Sequence, residues 1–330
     1  MTGVVVTTAF ALVYVWIVWL VDRHEKEPGP VLGAAFLGGL VAAPVLTVLI
    51  EAVSGVPDSL SPASFGSLPL AEPNLAGAIV EESAKALVVW LAFRLLPREF
   101  DGALDGIVYG AVVGAGFNLA ECLLYFWSML PFVGAATFSL AFFADLFVSG
   151  LTHCVFTALF GALLGYTREA GWDSPWPATL GWAAACVYHV AFVALGYLAT
   201  GGLDHPTVAT VAAGARWLLE FAGIVLLAAA ASWAWVRERR VLRAQLADEA
   251  GAGIVTGEEL DTLVGGRRLA AQVEALRRSG TAGWRRLRRL HHAQAELAFA
   301  KHRALRGLGG AAEIEAYRSR IRQLRVGAHG

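Results

Sequence analysis

Residues 75–97 read LAGAIVEESAKALVVWLAFRLLP. A helix crossing the hydrocarbon core needs about 20 mostly apolar residues, and this stretch is long enough. Its first half nevertheless carries Glu81, Glu82 and Lys85. Ionisable groups at membrane depth are expensive and mark chemistry. Glu81 and Lys85 stand four apart with the acid first, the favoured order for a helical ion pair, and Glu82 is three from Lys85. One lysine cannot neutralise two glutamates, so a negative charge is left over.

Six further stretches qualify as spans: 3–21, 29–50, 106–130, 139–166, 175–200 and 207–236. The first has no basic n-region and no cleavage site before Asp22, and reads as a retained anchor. Residues 1–236 hold 7 Lys/Arg against 17 Asp/Glu, whereas residues 237–330 hold 19 against 10. The near-zero net charge of −1 is thus the average of two unlike parts, a membrane domain (1–236) and an Arg-rich tail (237–330). Only 16% of the chain is charged, well below the roughly 25% of soluble domains, and its mean hydropathy is +0.57. Disorder is excluded and a soluble enzyme is disfavoured. The expected fold is an all-α polytopic bundle of about seven transmembrane helices with a helical, basic tail.

Basic residues occupy alternate loops: Arg23 and Lys26, then Arg94 and Arg98, then Arg168, then Arg237, Arg239 and Arg240. The intervening loops 51–74, 131–138 and 201–206 have none. The positive-inside rule predicts an outside N-terminus and a cytoplasmic tail in a cell membrane. Within the tail, Thr256 and Glu259 have the spacing of a capping box. The arginines around 285–289 either stay in water or meet anionic headgroups, and no nucleic-acid partner is expected. Cys122, Cys154 and Cys186 all fall in apolar runs and read as buried thiols.

Other spans also carry polar groups: Glu121, His153, His189, and the pair Arg216/Glu220, with Asp145 near a span end. At about 1.5 Å of rise per residue, Glu82 lies about 10 Å below the outer edge, Glu121 and His153 about 13 Å, and His189 about 16 Å. Four polar groups on four helices therefore share one level in the outer half of the bilayer. Two carboxylates with two imidazoles form the ligand set of a zinc site beside a catalytic carboxylate. Each histidine taken alone reads more readily as a hydrogen-bonded core residue than as a ligand, and Arg216/Glu220 reads as a structural i, i+4 pair.

These residues sit in a larger pattern. Glu81-Glu82-x-x-Lys85 resembles the EExxK motif of the PrsW family of intramembrane metalloproteases, distantly similar to the CAAX-protease superfamily. Leu104-Asp105-Gly106-Ile107-Val108-Tyr109-Gly110 resembles the family's LDGxxYG segment, and Phe117 to Glu121 its FxxxE motif. His153 with Phe156-Thr157-Ala158 and Phe160-Gly161 is similar to the third motif, and His189 to the last conserved histidine. Cys122 and Val193 stand where the family commonly carries asparagine.

The resemblance implies hydrolysis of a peptide bond in a membrane-protein substrate, with an anti-sigma factor as one known substrate class. It implies Glu81 as general base, Glu82 and Lys85 in support, and Glu121, His153 and His189 holding a divalent metal, zinc being expected, or orienting water. Two other readings compete: an ion- or proton-coupled transporter using intramembrane Glu and His, and a catalytically degenerate scaffold.

Overall fold

The computed structural model describes residues 2–22, 26–60, 74–97, 99–129, 140–171, 174–200, 203–307 and 309–326. Much of loops 51–74 and 131–138 lies outside these, as does the side chain of Asp145. The described residues are helical, without a strand. The helices are α1 (Thr2–Val21), α2 (Gly29–Leu37), α3 (Ala43–Ser54), α4 (Leu75–Leu95), α5 (Ala103–Met129), α6 (Leu140–Ala170), α7 (Trp176–Ala199), α8 (Pro206–Gly251), α9 (Gly257–Val264), α10 (Arg268–Leu305) and α11 (Ala311–Val326).

Among the described residues, six of the seven expected spans are long and apolar enough to cross a membrane. The exception is α4, because Glu81, Glu82, Lys85 and Arg94 dilute its apolar surface. The second span is not uniform: α2 and α3 are joined by a π-helical turn at Gly38–Ala42, just before Pro44. Proline has no N–H for the preceding turn, and a wider turn accommodates that loss. The last span does not stop at 236. Residues 237–250 hold no glycine or proline, and α8 continues to Gly251.

Packing divides the chain into two units, Met1–Asp22 with Glu27–Ala231, and Arg23–Lys26 with Ser232–Gly330. In the first unit α5 is central, and every residue from Gly106 to Ala120 is buried. Its neighbour α6 packs against it at backbone contact. A Cβ on Gly106 would stand 1.9 Å from the Gly161 carbonyl oxygen, one on Gly110 2.5 Å from that of Thr157, and one on Gly114 2.3 Å from that of His153. Glycines four apart on α5 thus let two backbones meet, the packing device of membrane helices. Gly116, whose Cβ would lie 2.3 Å from the Phe36 oxygen, admits the second span on another side.

Two polar devices set the ends of the helices. Asn74 caps α4 by accepting from the Gly77 N–H at 2.8 Å, while its amide donates to the Pro57 carbonyl at 2.7 Å. Tyr109 donates to the Glu27 carboxylate, and Asp22 accepts the Glu27 N–H at 2.8 Å. Burial pushes the Glu27 carboxyl up to about 9, against the lowering effect of that tyrosine bond. Outward faces of α1, α3 and α8 expose Leu12, Trp16, Val53, Leu218 and Val225, as helices facing lipid do.

The second unit has a core of its own, built on Leu242, Leu246, Leu263, Leu297, Phe299 and Ile321. The tail is therefore more than a solvated helix pair. The expected capping box forms at α9, with Glu259 N–H donating to Thr256 Oγ1 at 3.2 Å and Thr256 N–H to Glu259 at 2.8 Å. Glu249, buried, accepts from Arg318 at 2.6 Å and Lys301 at 2.9 Å.

Candidate metal and catalytic centre

All six residues singled out by the motifs come together, from α4, α5, α6 and α7. Lys85 Nζ lies 2.5 Å from Glu82 Oε1 and 3.9 Å from Glu81 Oε2. The lysine therefore pairs with the glutamate three residues away, and the uncompensated carboxylate is Glu81. Its Oε2 is buried and makes no hydrogen bond.

Glu82 does a second thing. Its Oε1 also accepts from His189 Nδ1 at 3.0 Å, which leaves His189 Nε2 directed toward Glu81 Oε2, 3.9 Å away. A carboxylate on the outer nitrogen of an imidazole is the usual support of a metal-binding histidine. His153 is held from both sides: Lys85 Nζ donates to its Nδ1 at 3.3 Å and its Nε2 lies 3.0 Å from Glu121 Oε2. Glu121 is the most open of the cluster, its side chain 28% exposed.

Aromatic rings wall the site. Phe156 stacks on His189 with centroids 4.7 Å apart, Phe117 lies 5.8 Å from the His153 ring, and Lys85 Nζ sits 4.1 Å over Phe117. The sequence had placed both phenylalanines inside motifs without giving them this role. Their spacing was the signal: Phe117 is one turn before Glu121, and Phe156 nearly one turn after His153.

Ligand atoms of Glu81, His153 and His189 all lie within 4.8 Å of one another, and all three side chains are buried. A buried carboxylate oxygen without a partner, facing two imidazoles, suits a divalent transition metal in donor chemistry and charge. The residues fit such an ion. Arg216 and Glu220 form their pair at 3.7 Å, with Arg216 over Phe192 at 4.5 Å, and neither belongs to this cluster.

The profile of the PrsW family intramembrane metalloprotease matches residues 27–213. The chain belongs to this family. It is a multi-pass membrane protein, and the family description implies a metal. The Protease PrsW of Geobacillus kaustophilus (strain HTA426) is 36% identical over 109 residues, 32% of this chain and 44% of the relative. The match thus spans less than half of that relative's length. No solved structure matches the chain. At the two places where this chain departs from the family pattern, Cys122 is buried with its thiol 3.9 Å from Asn118 Oδ1, and Val193 is half-buried on α7.

Proposed function

We propose that the chain is a metal-dependent endopeptidase that hydrolyses a peptide bond of a membrane-bound protein in the outer half of the bilayer. The observation that carries this reading is the buried, unpartnered Oε2 of Glu81 beside His153 and His189. A carboxylate kept in that state has a proton or a cation to handle.

His153 and His189, with Glu121, are the proposed ligands, and zinc the proposed metal. When bound, such an ion polarises the scissile carbonyl and brings a water's pKa to about 7. Glu81 takes the proton from the water as its oxygen bonds to the carbonyl carbon. It returns that proton to the amide nitrogen as the C–N bond breaks. Glu82 holds His189 by Nδ1 and Lys85 balances Glu82, so these side chains are locked before substrate arrives. Phe117 and Phe156 keep bulk water from the cluster.

A second assignment exchanges Glu81 and Glu121, and the close grouping of Glu81 with both histidines favours it. Metal content separates the two. If Glu81 is the base, purified Glu81→Gln retains metal and loses cleavage of a transmembrane peptide, and Glu121→Gln loses both; the exchanged assignment gives the opposite metal contents. Near-normal cleavage by both Glu81→Gln and His153→Ala would sink the protease reading.

A membrane-anchored anti-sigma factor, cut first on the extracytoplasmic side, is the proposed substrate class. The proposed organisation is a membrane domain over residues 1–236 and a cytoplasmic tail over 237–330, in a bacterial cell membrane. Anionic lipid is the proposed partner of that tail, on the strength of its arginines.

A further inference from the structure

The backbone of α10 leaves the helical region at Gly280, with φ 64° and ψ −162°. Arg268–Ser279 is thereby a separate arm before the kink. At about 100° per residue, Leu269, Ala270, Val273, Leu276 and Arg277 fall on one side of it, and all five are exposed. On the opposite side, Arg268, Ala271, Gln272 and Ala275 are half-buried. The exposed apolar residues are large: Leu269 is 71% exposed, Leu276 41% and Val273 39%.

Charge surrounds this stripe. Residues 265–290 hold eight arginines and one acidic residue, Glu274, a net of +7. Arg267, Arg277, Arg278, Arg285, Arg288 and Arg289 are exposed. Arg286 is different, because it donates to the Leu324 and Arg325 carbonyls at 3.0 and 3.1 Å and closes the end of α11. The exposed arginines include none with that capping task.

We infer that Arg268–Ser279 is an interfacial anchor. It lays Leu269, Val273 and Leu276 among the acyl chains of an anionic leaflet, while the flanking arginines meet lipid phosphates. The inference rests on the lipid reading of the tail and makes it specific to one helix. An anionic leaflet offers negative charge and apolar depth side by side, which is the complement of an apolar stripe edged by arginine. The chain also brings that leaflet close, since only residues 237–241 separate the end of the last expected span from Leu242 of the tail core.

The test uses the full chain carrying Glu81→Gln, so that no cleavage is needed and failure here leaves the protease reading untouched. The native cysteines are buried, so Val273→Cys accepts an environment-sensitive maleimide dye. In nanodiscs rich in phosphatidylglycerol the dye emission shifts to the blue and is quenched by brominated acyl chains. In pure phosphatidylcholine discs neither change occurs. Combining Arg277→Gln, Arg285→Gln, Arg288→Gln and Arg289→Gln abolishes the shift, and so does raising the salt around the loaded discs to about 1 M, where the screening length falls to about 3 Å. Equal emission in the two lipids would overturn the inference. So would a shift that appears only when soluble protein is added, which would make the arm a protein-docking surface.

Discussion

Glu81 and Glu82 are adjacent and chemically identical, yet their surroundings differ. Lys85 and His189 both contact Oε1 of Glu82, whereas Oε2 of Glu81 meets no donor. Glu82→Gln is therefore expected to act through His189, lowering metal affinity by about 10–100-fold as other outer-shell substitutions do. Glu81→Gln is expected to lower turnover by at least about 10²–10⁴-fold. Equilibrium dialysis against zinc and a peptide-cleavage assay distinguish these outcomes. Lys85→Ala leaves buried Glu82 without its cation beside the already unpartnered Glu81, a change of the kind that costs about 3–5 kcal/mol. It is expected to lower the amount of folded protein, read by size-exclusion of detergent extracts, where Glu81→Gln does not. The family motifs identified the two glutamates and the lysine, but spacing favoured the i, i+4 pair of Glu81 with Lys85, whereas Lys85 Nζ lies 2.5 Å from Glu82 and 3.9 Å from Glu81.

Among the helices, the seat of the site is the glycine contact of α5 with α6. A Cβ on Gly114 would press on the carbonyl of His153 itself. Gly114→Ala touches no catalytic side chain, but forces the two backbones apart at a cost of about 1–3 kcal/mol. Cleavage and metal content are expected to fall together while insertion persists, measured by metal analysis of the purified variant. The four-residue spacing of Gly106, Gly110 and Gly114 was visible in the sequence, and what it met was not. A pH dependence belongs to α10. Burial pushes the His291 imidazole from 6.5 down to about 4, with Arg268 adding to the shift. The unfolded chain therefore binds the extra proton first. The stability due to neutral His291 is complete above pH 6.5 and is lost as pH falls from 6.5 toward 4. Hydrogen exchange at tail amides is expected to accelerate across that window, and less so in His291→Phe.

For the whole molecule, the charge alternation of the loops predicts that a reporter fused after Val236 is cytoplasmic and one inserted near Ser61 extracytoplasmic. Enzymatic reporters at both places check it, and the reverse result would put the cluster in the inner half of the bilayer. The tail buries its own core, so its removal is expected to spare hydrolysis. The cut matters: ending the chain at residue 249 would strand Leu242 and Leu246, both fully buried in that core. A chain ending at Arg240 should retain native cleavage of a transmembrane peptide, and an inserted but inactive truncation would make the tail part of the machinery.

Length, hydropathy and the motif order were enough for an all-α membrane bundle and for singling out six residues that the structure brings together, because burial in lipid demands long apolar helices and makes each charged exception conspicuous. The capping box of α9 was legible for a similar reason, since its two bonds join residues three apart. The uninterrupted α8 and the tail core were not, because a basic amphipathic sequence reads alike in water and in a packed domain. Nor could spacing along separate helices say which carboxylate Lys85 leaves unpaired, or that Glu82 turns His189 toward the site. Those outcomes depend on how α4, α6 and α7 are rotated about the site; α6 is set against α5 by glycine-to-backbone contacts between residues about 40–55 apart in the chain, and α7 meets α6 at Gly181, whose Cβ would lie 2.9 Å from Phe160 Cα.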